Sequence, residues 1–169
     1  MRGVEGWHQV VLLSVGGSLG VNARYWLGVA ITRWAGPQFP WATLAINVSG
    51  SFAIGLLTVL MARWLPHPHM RLLVVVGFLG GYTTFSSFTA EALVLWERGE
   101  RALGLGYVAG SVGAGLAAVV LGTALGRGMI ETSGRWSARD ERTAAAASPG
   151  SGSEDEAAPD RAVGSEAPP

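Results

Sequence analysis

Three stretches of this chain hold no Asp, Glu, Lys or Arg over the length needed to cross a bilayer. They are Trp41 to Met61, Leu72 to Ala90 and Ala102 to Gly126, of 21, 19 and 25 residues. A helix crossing the hydrocarbon needs about 20 mainly apolar residues. A fourth stretch, Val10 to Thr32, is interrupted only by Arg24. A soluble globular domain has no use for such runs, so the pattern predicts an all-α membrane protein with four transmembrane helices.

The punctuation between the runs agrees. Span one is expected at about Trp7 to Trp34 and is followed by Gly36, Pro37 and Pro40. Span two runs from about Trp41 to Trp64 and ends at "LPHPH", Leu65 to His69. Proline removes a backbone donor and restricts the residue before it, which marks a turn. Span three runs from about Met70 to Trp96, "ERGER" (Glu97 to Arg101) forms a charged turn, and span four runs from about Ala102 to Met129. Trp7, Trp34, Trp41, Trp64 and Trp96 all fall near span ends. Tryptophan prefers the headgroup level, so these five positions support four spans independently of hydropathy. The N-terminal segment loosely fits a signal peptide, with Arg2, an apolar stretch and "VNA". Gly16, Gly17 and Ser18 break that stretch, and apolar character resumes after Arg24, so an uncleaved span is expected.

The formal net charge of zero conceals a division. Residues 1–130 hold eight Arg and four acids; residues 131–169 hold four Arg and eight acids. The first part is the expected four-span membrane domain. The second is acidic, rich in Ala, Ser, Gly and Pro, and short of large apolar side chains, so it is expected to stay disordered and to be dispensable. Arginines near span ends bear on orientation. Arg2, Arg63, Arg71 and Arg127 lie on the side of the termini, against Arg33, Arg98 and Arg101 on the other. The membrane body alone is nearly undecided. Counting Arg135, Arg139 and Arg142 from the tail favours cytoplasmic termini.

Several chemistries are excluded. There is no cysteine, hence no disulfide and no thiolate metal site. No GxSxG, HExxH or Walker loop is present, so an enzyme is not expected. His67 and His69 could chelate a metal, but histidines in a turn are ordinarily just solvated. Small residues four apart, at Gly16 and Gly20, Gly106 and Gly110, Ser111 and Gly115, and Gly122 and Gly126, let helices approach closely.

Polar groups inside spans are expensive and tend to mark pathways or contacts. The candidates are Asn47, Ser49 and Ser51 in span two, Thr83, Thr84, Ser86, Ser87 and Thr89 in span three, and Tyr107 and Ser111 in span four. Hydroxyls can bond back to their own helix. Asn47 cannot be satisfied so locally, since its amide has two donors and an acceptor. Arg24 and Glu91 are the in-span charges; either can also sit near a span end. Gly80 and Gly81, followed by "TTFSS", favour a break in the middle of span three. Such a break is tolerated only where protein or a water-filled cavity satisfies the freed groups. Freed carbonyls can bind a cation, and freed N–H groups with hydroxyls an anion. Phe85 and Phe88 share one face if the helix resumes. Their rings, whose edges are positive, could face an anion; spacing alone favours packing.

At these residues the sequence resembles the small fluoride channels called Fluc, or CrcB. The resemblance covers about residues 10–125. It rests on "GGSLGVNARYWLG" (Gly16 to Gly28), "TLAINVSGSFAIG" (Thr43 to Gly55) and "GFLGGYTTFSSFTAE" (Gly77 to Glu91), with Tyr107 and Ser111 adding a weaker match. It implies a dual-topology antiparallel homodimer, or a pair with an oppositely oriented paralogue, in the plasma membrane of a prokaryote. It implies two fluoride pores and a structural sodium ion at the dimer centre, held by the backbone carbonyls of Gly80 and Thr83. Phe85 and Phe88 match the ring pair of the pore, with Asn47 beside them. Tyr107 and Ser111 match a hydroxyl track, and Thr84 is counted with the pore residues. Arg24 matches a basic residue that draws anions into the vestibule. Glu91 matches an acid of uncertain role. Gly115 departs from the pattern, because relatives often carry a hydroxyl there. The implied activity is passive export of cytoplasmic fluoride down its electrochemical gradient, limiting fluoride toxicity; the implied partners are fluoride, lipid and a second subunit, with no nucleic acid. A proton-coupled exporter is the main rival, but it needs an acid deep in span one, where there is none between Glu5 and Glu91. A purely structural subunit would leave Asn47 and the broken span unexplained.

Overall fold

The computed structural model of the protein describes residues 2–147. Every regular element among them is helical. Helix α1 spans Arg2–Ala35 and α2 spans Trp41–Trp64. A third apolar segment, Pro68–Glu97, is composite. It begins with the single turn α3 (Pro68–Arg71), winds as a π-helix over Leu72–Leu79, and closes with the short α4 (Gly80–Tyr82). It resumes as α5 (Phe85–Glu97). Helix α6 spans Arg101–Ala147.

Among the described residues three helical segments are long and apolar enough to cross a membrane: Trp41–Trp64, Pro68–Glu97 and Arg101–Thr132. Helix α1 has 34 residues, ample for a crossing by length, but its apolar run is diluted by glycines, Asn22 and Arg24. The turns fall where proline and glycine were expected. Gly36 and Gly99 hold φ of 81° and 82°, which a residue with a Cβ rarely adopts.

The chain divides into two units, Met1–Gly134 and Arg135–Pro169. In the second, the helical trace of α6 reaches Ala147. That is further than an irregular tail beginning at residue 131 would allow, and Ala and Arg are strong helix formers that account for it. The remaining tail, 148–169, lies outside the described residues.

The first unit is nearly inside out. Its buried core is small, centred on Phe88, Leu95 and Tyr107, whereas many large apolar side chains along α1 and α6 are exposed. Association between helices therefore depends on close backbone approach. Ideal Cβ atoms at Gly16 and Gly20 of α1 would collide with the carbonyls of Leu73 and Phe78 in the third segment. Gly55 of α2 and Gly122 of α6 likewise face the carbonyls of Val119 and Phe52. These contacts seat α1 against the π-helical stretch and α6 against α2. Gly106 and Gly110 have open space instead. The π-helical winding has no counterpart in the sequence expectation of an ordinary α-helix from Met70 onward.

Candidate functional site

The site grows from one side chain reaching across two helices. Asn47, in the middle of α2, donates from Nδ2 to the Thr84 carbonyl at 3.0 Å and accepts the Thr84 N–H on Oδ1 at 2.8 Å. The pair of bonds fixes the amide orientation. It also holds the backbone of one residue, by both its N–H and its C=O, outside any helix: Thr83 has φ −81° and ψ 156°, and Thr84 has φ −148° and ψ 115°. The third segment is thus extended at these two residues, between α4 and α5.

Local capping completes the arrangement. Thr84 is the N-cap of α5, its Oγ1 accepting the Ser87 N–H at 3.2 Å, the role for which threonine suits a helix start. Thr83 turns its own N–H and Oγ1 back to the Leu79 carbonyl, both at 3.0 Å. Two carbonyls lose their helical donors as a result. The donor four residues after Gly80 is the Thr84 N–H, which goes to Asn47; the donor four after Thr83 is the Ser87 N–H, which goes to Thr84 Oγ1. Neutral backbone oxygens of an unwound segment are the donor set that a hard monovalent cation takes. The residues present therefore fit a sodium ion held through Gly80 and Thr83. Among the described residues no cluster of three or more His, Asp or Glu exists for another metal, and His67 instead accepts the His69 N–H through Nδ1.

A groove of about 440 Å³ opens beside the extended residues, between α2, the third segment and α6. Asn47, Gly80, Thr83, Thr84, Phe85, Phe88 and Ser111 all line it. The two rings lie 5.6 Å apart at 49°. They differ sharply in burial: Phe88 is 7% exposed and Phe85 76%. Ser111 Oγ is buried and makes no well-formed hydrogen bond among the described residues, although it interacts with the Tyr107 hydroxyl. Most of the remaining wall is aliphatic.

A second cavity, of about 610 Å³, adjoins the first through Thr84. Arg24, Arg33, Thr43, Ser87 and Glu91 line it. Here the structure separates residues that the sequence pattern grouped. Arg24 belongs to this cavity and not to the groove. Tyr107 is buried and its hydroxyl donates to Glu91 Oε2 at 2.8 Å. Its ring packs on Phe88 and Phe39, at 5.3 and 5.4 Å. Tyr107 and Ser111, four residues apart, stay neighbours: the Ser111 hydroxyl interacts with that of Tyr107, while Ser111 also lines the groove.

Glu91 gains a setting that its sequence position alone did not give. Its other oxygen, Oε1, accepts from Thr43 Oγ1 at 2.7 Å. Thr43 is buried and escaped the sequence reading, as did Arg33 as a cavity residue. A signal existed for Thr43: it precedes Asn47 by four residues, as Asn47 precedes Ser51, so the three share one face of α2.

A profile of the family described as "CrcB-like protein, Camphor Resistance (CrcB)" matches residues 11–123. The chain is 46% identical over 123 residues to a protein of Rhizobium etli named fluoride-specific ion channel FluC, covering 72% of this chain and 98% of that one. It is 50% identical over 122 residues to the protein of the same name from Agrobacterium fabrum, with 72% and 98% covered. The FluC of Solibacter usitatus is 52% identical over 118 residues, with 69% and 97% covered. These matches take in the groove, the Asn47–Thr84 contact and both cavities, and leave the tail outside.

Proposed function

The chain belongs to the CrcB-like family, and we propose from that premise that it is a fluoride-selective ion channel letting fluoride leave the cytoplasm passively. It is a multi-pass membrane protein and not an enzyme. The observation that carries the reading is the groove itself, where a buried hydroxyl without a well-formed hydrogen bond, an amide and two rings meet beside an unwound helix. Fluoride is small and tightly hydrated, so a pathway must replace its water with donors that do not hold it permanently. Ser111 offers a hydroxyl, and Asn47 keeps one amide N–H beyond the one given to Thr84; Thr84 lines the groove with its own O–H donated to Ser87 Oγ. Phe85 and Phe88 offer positive ring edges without a fixed charge that would trap the ion. Arg24 and Arg33 give the adjoining cavity a positive potential that draws anions toward it.

The active unit in this reading is an antiparallel pair, formed with a second copy or with an oppositely inserted paralogue, in the plasma membrane of a prokaryote. Residues 1–130 form the channel, with α1 as the fourth span, and the tail stands apart from transport. Gly80 and Thr83 hold a structural sodium ion through their carbonyls, which supplies a fixed positive charge at the unwound segment. Strong exposure of Phe85 and of the aliphatic faces of α1 and α6 supports a partner and lipid around this unit.

Purified protein in liposomes is expected to release fluoride but retain chloride, with no proton gradient imposed. Absence of fluoride release, or equal release of chloride, overturns the reading.

A further inference from the structure

The polar face of α2 does not end at Asn47. Thr43 is committed to Glu91 and Asn47 to Thr84. Ser51 follows on the same face, and it lines the groove. Opposite it, α6 presents Ser111 and then, four residues on, Gly115, both also lining the groove. An ideal Cβ at Gly115 would stand 3.6 Å from Ser51 Oγ, an ordinary contact. The missing side chain therefore leaves an open volume bounded by the Ser51 hydroxyl on one side and α6 on the other.

The aliphatic walls nearby, Ile54, Val112 and Leu116, accept no hydrogen bond. A buried hydroxyl without a partner is costly and calls for an occupant that accepts its proton. Ser111 Oγ comes close to that condition: it makes no well-formed hydrogen bond, only a weaker interaction with the Tyr107 hydroxyl. An anion is the acceptor that could take O–H donors from both helices at once.

We propose that Ser51 is an ion-contacting residue, forming with Ser111 a two-hydroxyl station for the anion beyond Phe85 and Phe88, with Gly115 keeping that station open. The proposal rests on the channel reading. It assigns to α2 a donor that the four-residue spacing on α6 would otherwise be asked to supply. Since the Cβ carrying a hydroxyl at position 115 would stand 3.6 Å from Ser51 Oγ, a donor at either position can reach the same ion.

The test is fluoride efflux from liposomes, with the oligomer checked by size exclusion, for the full chain and four variants. Hydrogen bonds to charged groups are strong enough that Ser51→Ala should slow efflux about tenfold. Adding Gly115→Ser to Ser51→Ala should restore most of the rate. Adding Gly115→Ala to it should not, because that change fills the same volume without a hydroxyl. Should Ser51→Ala fail to assemble, Ser51→Cys, which keeps the shape with a weak donor, should assemble and still conduct slowly. A conducting parent with Ser51→Ala at full rate overturns the station and leaves the channel reading intact. So does slow efflux that Gly115→Ser does not rescue, or that Gly115→Ala rescues equally, and so does a fully conducting Ser51→Cys. A parent that releases no fluoride overturns the channel reading itself.

Discussion

Replacing Asn47 by alanine should undo the interruption of the third segment. The side chain makes two hydrogen bonds to the backbone of one residue, at 3.0 and 2.8 Å, and Thr84 is only 8% exposed. Each such bond contributes about 1 kcal/mol net, so losing both weakens the local structure by about 2 kcal/mol. The Thr84 N–H is then free to turn back to the Gly80 carbonyl, its helical acceptor, which would close the extended stretch. The amide of Thr84 should exchange with deuterium about 30-fold faster, given tenfold per 1.4 kcal/mol. Fluoride efflux should fall in parallel. Asn47→Asp separates the two bonds. It keeps an acceptor for the Thr84 N–H but sets a carboxylate oxygen against the Thr84 carbonyl, so amide protection should persist better than with alanine while efflux still falls. Exchange measured on protein in lipid nanodiscs reads the first effect, and liposome efflux the second. Unchanged Thr84 protection in Asn47→Ala would refute the clamp.

Three other outcomes are expected. Phe85→Ile and Phe88→Ile should each abolish most fluoride efflux while the oligomer persists; the exposed Phe85 should change thermal stability by less than about 0.5 kcal/mol, whereas the buried Phe88 should lower it clearly, and undiminished efflux in both variants would reduce the rings to packing. Gly20→Val should destabilise by about 2 kcal/mol or more in a denaturation series, since its Cβ meets the Phe78 backbone carbonyl and no side chain can give way; a silent substitution would show α1 seated elsewhere. A reporter fused after Pro169 should be found on both faces of the membrane if the chain pairs with itself, and on the cytoplasmic face alone if the tail arginines fix its insertion.

The short-range features were legible in the chain. Uncharged runs marked the spans because a bilayer demands length, and proline and glycine marked the turns because they limit backbone geometry. Gly80, Thr83 and Thr84 advertised their region through weak helix propensity and competing hydroxyls. Asn47 stood out because an amide inside a span needs partners that its own helix cannot supply. The π-helical winding of Leu72–Leu79 left no such trace, since "LLVVVGFL" is as apolar as any ordinary span.

By itself, then, the sequence determined which segments can cross the membrane and which residues must seek partners there. The tertiary structure decided which partners they find. Asn47 meets Thr84 across 37 positions, and Glu91 takes Thr43 from 48 positions away and Tyr107 from 16. Spacing placed Tyr107 with Ser111 on one helix face, but only the packing decided that the Tyr107 hydroxyl goes to Glu91 and that Ser111 also borders the groove. Helical periodicity orders residues along a single helix. It carries no information about the register between helices, and here that register is set by backbone contacts at Gly16, Gly20, Gly55 and Gly122.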